Sequence, residues 1–281
     1  MSFDQIVDGI NFGEGPRWHE NRLWYSDFYQ GRIFAVGEDG QREIMVEFAD
    51  DRPSGLGWLP NGDLLVVSMT RRQLWRIGAD GTQSLHADLS DIAEFHCNDM
   101  VVDIRGNAYV GNFGFNFEAG EEPGGATLAL VLADGTPSVA ATDLLFPNGS
   151  VITPDNLTLI VGQTFGGYFE AWDIEPEGTL SNRRVWAEVT GSAPDGCCLD
   201  ADGAIWFADA MGSRLVRVTE GGTITDTLET GQPVFACMLG GADGRTLFAL
   251  CADDSHPELA SVTATGRLIA TVVDVPHAGL P

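Results

Sequence analysis

The chain has 281 residues, of which 41 are acidic and 15 basic, for a formal net charge of −26. Polyanion binding needs clustered cations to displace condensed counterions, so this balance argues against nucleic acid and against an anionic membrane surface as partners. All 15 basic residues are arginine, which excludes lysine Schiff-base chemistry and the Walker phosphate loop.

Residues 3–11 have strand character and precede a set of hairpin-like segments. These turn at Glu20-Asn21, Asn61-Gly62, Arg105-Gly106, Asp155-Asn156, Asp202-Gly203 and Asp243-Gly244, pairs that mostly tolerate positive φ. Each turn joins a short apolar strand to a second strand ending in small or polar residues. A third strand often follows, as in RIFAVGEDG, QLWRIGADG, TLALVLADG and RLVRVTEGG, and a further β-rich run completes the unit. The units start near residues 13, 53, 97, 147, 194 and 234. Equivalent positions at Glu14, Ser54, Asn98, Asn148, Asp195 and Phe235 are separated by 40, 44, 50, 47 and 40 residues. Six four-stranded units of this length predict an all-β, six-bladed β-propeller, a single domain over 1–281. Residues 3–11 would close the last blade and remove a free sheet edge. Amphipathic runs of helical period, the mark of a helical solenoid, are hard to find.

No run approaches the ~18 apolar residues of a membrane helix, and the first residues lack the basic start and apolar core of a secretory signal. A cytoplasmic protein is expected. The five cysteines, Cys97, Cys197, Cys198, Cys237 and Cys251, are odd in number and include an adjacent pair, so they read as reduced thiols.

In a propeller the first strand of each blade lines the central channel, so the six equivalent positions meet in space. Polar groups there are costly to desolvate unless something satisfies them. Glu14, Asn148 and Asp195 offer oxygen donors suited to a hard divalent cation. Ordered water or capped backbone is the other use for such groups.

EGPRW at the start, CND followed by VVDIRGNAYVGN, FPNG with its TPDN turn, and PDGCCLDADGAIWFAD resemble, in order and spacing, the signature regions of the senescence marker protein, gluconolactonase and luciferin-regenerating enzyme family. The resemblance implies a six-bladed propeller with a metal site in the central channel that opens a lactone ring by metal-activated water. It implies Glu14, Asn148 and Asp195 as metal ligands, and Asn98 as the asparagine that contacts substrate or water beside the metal. Calcium is the expected ion, with manganese, magnesium, zinc and iron(II) as alternatives. Asp195 would act as general base, Asn98 would orient the carbonyl or the water, and His96 would protonate the leaving alkoxide or bind substrate.

One departure concerns substrate. Sugar-lactone members carry an arginine two places before the asparagine, where this chain has His96. Histidine offers fewer donors and can exchange a proton near neutral pH. The following stretch, residues 111–117, is rich in phenylalanine, and Phe115 and Phe117 are expected substrate contacts beside His96 and Asn98. A less polar lactone or ester therefore stands beside a sugar lactone as the expected substrate. Phosphotriester or other ester hydrolysis, and a non-catalytic binding propeller, are the alternative functions. The sequence leaves the oligomeric state open.

Overall fold

The computed structural model describes residues 2–37, 40–48 and 50–281, with Phe117 described by its backbone alone. Among these residues, 24 strands form six four-stranded antiparallel sheets. Blade one runs outward in chain order through Gly13–His19, Arg22–Asp27, Arg32–Val36 and Arg42–Glu47. Blades two to five repeat this order from inner strands Pro53–Trp58, Cys97–Val102, Pro147–Ile152 and Pro194–Leu199. The sixth blade begins at Val234–Gly240, and its outermost strand is Asp4–Ile10, paired with Gly266–Val272. Each inner strand touches the next, and the sixth touches the first, so the ring is closed. The all-β six-bladed propeller expected from the repeat is the fold observed.

Burial falls outward within each blade. Inner strands are almost wholly buried, whereas outer strands such as Ile224–Glu229 are mostly exposed. Apolar side chains from adjoining blades interlock between the sheets. Leu65 and Val67 of blade two, for example, share a cluster with Met100, Val110 and Ala129 of blade three. Fully burying each such side chain contributes about 1.5–3 kcal/mol. In every hairpin turn named above the second residue has positive φ, from 59° at Asn156 to 90° at Gly106. At Glu20-Asn21 both residues are left-handed, the type I′ geometry that matches the right-handed twist of the strands it joins.

Close approach of the inner strands leaves room for only minimal side chains just after the ring positions in blades two and four. A Cβ on Gly55 would lie 2.6 Å from the Met100 nitrogen, and one on Gly149 would lie 2.3 Å from the Asp195 carbonyl oxygen. At the other end of the channel the C-terminal segment crosses blades four and five. Leu280 exchanges two backbone hydrogen bonds with Ile152, and the Ala278 N–H donates to Leu199 O. Among the described residues no helix is long and apolar enough to cross a membrane.

Candidate active site

Glu14, Ser54, Asn98, Asn148, Asp195 and Phe235 are each the second residue of an inner strand. In all six blades the pairing register shifts within the next two or three residues. Such an irregularity re-aims a side chain and frees it from the sheet's alternation. Glu14, Asn98, Asn148, Asp195 and Phe235 line one cavity of about 210 Å³ at this end of the channel. Ser54 lies behind it, donating from its hydroxyl to Asn98 Oδ1 at 3.4 Å. The amide nitrogen is then the end of Asn98 that can donate into the cavity.

The floor of the cavity concentrates oxygen. Glu14, Asn98, Asn148 and Asp195 are each no more than 5% exposed, and among the described residues Asn148 Oδ1 and Asp195 Oδ1 have no hydrogen-bond partner. Burial pushes the Glu14 carboxyl well above its ordinary range, and the charges of Asp195 and Asp99 push it further. Asp195 is raised mainly by burial, against the pull of the Gly196 N–H and the Asn148 amide. Neighbouring buried carboxylates of this kind are stable as anions only beside positive charge. Two carboxylates and amide oxygens facing one cavity fit a hard divalent cation. Among the described residues no three His, Cys, Asp or Glu side chains gather for a metal, and this set has only two carboxylates, with amides as its other donors.

Below the floor, sequence reasoning missed a buried arginine. Arg17 donates from Nη2 to Asp99 Oδ1 at 2.6 Å and to Met100 O, from Nε to Leu56 O at 2.9 Å, and from Nη1 to Pro16 O at 2.8 Å. One guanidinium thus ties blades one, two and three together. It lies three residues after Glu14, and a cation on so buried a strand was the signal available in the sequence.

The walls are aromatic. On one side Phe12, Phe28, Tyr29 and Phe235 come from blades one and six, and on the other Phe113, Phe146 and Phe165 come from blades three and four. An Arg52–Glu118 ion pair joins blade two to the 3₁₀ turn Phe117–Ala119.

His96 and Phe115 are not among the lining side chains. The His96 ring stacks on Phe95 with centroids 3.9 Å apart and leans on Phe113 at 6.2 Å. Its Nδ1 has no partner among the described residues, and burial lowers its pKa, which favours the neutral ring. Phe115 is buried behind the wall against Phe146 and Phe165. The Phe117 side chain lies outside the described part of the structure. Gln163 and Asp209, at the ends of second strands, support loops instead. Gln163 accepts from the Leu145 N–H at 2.7 Å, and Asp209 accepts from the Ala193 N–H and from Arg214.

A family model described as the SMP-30/Gluconolactonase/LRE-like region matches residues 12–253. The chain is 26% identical over 280 residues to a 6-deoxy-6-sulfogluconolactonase of Pseudomonas putida, covering 96% of this chain and 94% of that one. Its fold is similar to a solved luciferin-regenerating enzyme, with a TM-score of 0.83 at 17% identity, covering 99% and 98% of the two chains. It is similar also to a calcium-binding regucalcin of Agrobacterium tumefaciens, with a TM-score of 0.82 at 20% identity, covering 99% and 97%.

Proposed function

The chain belongs to the SMP-30/gluconolactonase/LRE-like family, and from that premise we propose that it hydrolyses a lactone at a divalent cation held by Glu14, Asn148 and Asp195. The observation that carries this reading is the cavity floor: two buried carboxylates, with oxygens on Asn148 and Asp195 that have no partner among the described residues, beneath largely aromatic walls. The relative named as a sulfogluconolactonase supports the reaction, and the relative named as a calcium-binding regucalcin supports calcium as the ion. A cation bound there supplies Lewis acidity for the lactone carbonyl and for water.

The protein's own residues account for the rest. Asn98, anchored through Oδ1 by Ser54, donates its amide N–H to the carbonyl oxygen and fixes its direction. Asp195 accepts the proton of the attacking water as its oxygen bonds to the acyl carbon. The ring C–O bond then breaks, and Asp195 returns the proton to the departing alkoxide, so the product is the open hydroxy acid. This reading gives His96 no step, its ring being stacked on Phe95.

Chelator-stripped protein, assayed by acid release with and without added calcium, tests the proposal. Activity is expected to vanish on stripping and return with the ion. Asp195→Asn should lower turnover by at least about 10²-fold, the usual contribution of a positioned base. Full activity in the stripped protein would overturn the cation's role, and near-native turnover by Asp195→Asn with metal bound would remove it as the base.

A further inference from the structure

The two aromatic walls face each other. Blades one and six lie opposite blades four and three in the closed ring. On the first side Phe12 packs on Phe28 at 5.2 Å and on Phe235 at 4.8 Å. On the other side Phe146 stacks on Phe113 at 4.6 Å with planes 14° apart, and Phe165 meets it edge-on at 5.2 Å. Polar groups in the walls are few, and three of them have partners within the protein. The Tyr29 hydroxyl donates to Ser255 O at 2.8 Å, the Thr164 hydroxyl donates to Pro194 O at 2.8 Å, and Arg52 is paired with Glu118. Hydroxyls of a sugar-like lactone placed between the phenylalanine rings would lose water and find few partners there.

Phe146 carries a second mark. Its φ is +62°, a region that bulky residues avoid, and it is held there by the Thr164 N–H donating to its carbonyl at 3.1 Å. Strain of this sort persists where surrounding structure fixes a side chain in one place, and such residues cluster at binding sites. Here it holds a ring against the cavity, two residues before Asn148.

We infer that the substrate is a flat, apolar lactone, one fused to or bearing an aromatic ring, held between the two walls with its ester group on the oxygen floor. Phe146 and Phe165 are its specificity-determining residues. This inference rests on the lactone-hydrolysis reading above. Sugar lactones, which need directed donors along the walls, are the disfavoured class.

The test compares dihydrocoumarin, γ-butyrolactone and glucono-δ-lactone as substrates of the calcium-loaded protein. It adds calorimetric binding of dihydroquinolinone, a lactam of dihydrocoumarin's shape that resists hydrolysis. Phe165 is 45% exposed, so Phe165→Ala spares the core, and Phe146→Leu provides a second variant. Dihydrocoumarin is expected to exceed gluconolactone in kcat/KM by at least about tenfold. Each variant should lower the dihydrocoumarin to γ-butyrolactone ratio about tenfold, the scale of one aromatic contact with its buried area. Dihydroquinolinone should bind with a negative heat-capacity change. Preference for gluconolactone, or ratios unmoved in both variants, would overturn the inference and leave lactone hydrolysis standing. Dihydroquinolinone binding weakened by Phe165→Ala, with no lactone turned over, would keep the aromatic site and remove lactone hydrolysis. Neither turnover nor binding would remove both.

Discussion

Asp195 Oδ1 and Asn148 Oδ1 are buried polar atoms without partners among the described residues, and Glu14 shares their cavity. Burial and neighbouring acids raise both carboxyls. A carboxyl whose folded pKa lies above its unfolded value holds its proton more tightly when folded. The metal-free protein therefore loses stability as pH rises from the ordinary carboxylate range through the raised values. A cation between the carboxylates removes that penalty, so the thermal shift produced by saturating calcium is expected to be larger at about pH 8 than at about pH 5. A shift that was equal or smaller at the higher pH would place the ion elsewhere. The ring positions were legible because they recur at a fixed place in each repeat. Of the wall, the sequence marked only the phenylalanine-rich stretch 111–117 that supplies Phe113, although a related signal existed: Phe12, Arg52, Phe146 and Ala193 each precede a ring residue by two places and each lines the cavity. His96 holds the equivalent place before Asn98, yet its ring lies on Phe95 instead. Phe28 and Phe165 stand in connecting loops, where no strand period applies.

In five of the six blades the residue after the ring position is glycine or alanine, which lets the inner strands converge on the axis. Gly149 shows how tightly this is set, since an added Cβ would meet the Asp195 carbonyl oxygen at 2.3 Å and the Cys197 nitrogen at 2.7 Å, both backbone atoms. Gly149→Ala would therefore push the strand carrying Asn148 away from the strand carrying Asp195. Overpacking of this kind costs about 1–3 kcal/mol. The expected result is a lowered midpoint of unfolding together with weakened calcium binding measured by calorimetry, because two candidate ligands move apart. A stability loss with unchanged calcium affinity would show that the two strands do not share the ion. The tight turns that link these strands were readable, since pairs such as Asn61-Gly62 and Asp202-Gly203 announce positive φ locally, and Gly62 and Gly203 adopt it. The glycine at 149 could not be read in the same way. Its neighbour is some fifty residues on, in another blade, and nothing local marks the approach. Blade three departs from the small-residue pattern, with Asp99 in the equivalent place, and Arg17 answers it across the channel. That pairing crosses between repeats, so a comparison of one repeat with another does not expose it.

At the scale of the molecule, an N-terminal strand closes a blade otherwise built from the C-terminal region, and the ring so formed carries a net charge of −26. That charge acts on ions well beyond the carboxylates of the floor. A dication is drawn by the whole acidic surface, whereas an uncharged lactone is indifferent to it. Salt distinguishes the two contributions, because the Debye length is about 10 Å at 0.1 M and shrinks as salt is added, while contacts within the cavity are screened much less. Calcium affinity is therefore expected to weaken roughly tenfold between low and moderately high ionic strength, with KM for a neutral lactone unchanged once the site is saturated with the ion. Calorimetric calcium titrations at about 20 and 300 mM sodium chloride, paired with initial rates on γ-butyrolactone, read both quantities. Affinity that held constant across that range would assign the whole attraction to Glu14 and Asp195. A KM that moved with salt at saturating calcium would mean that substrate, too, feels the field, and so carries charge.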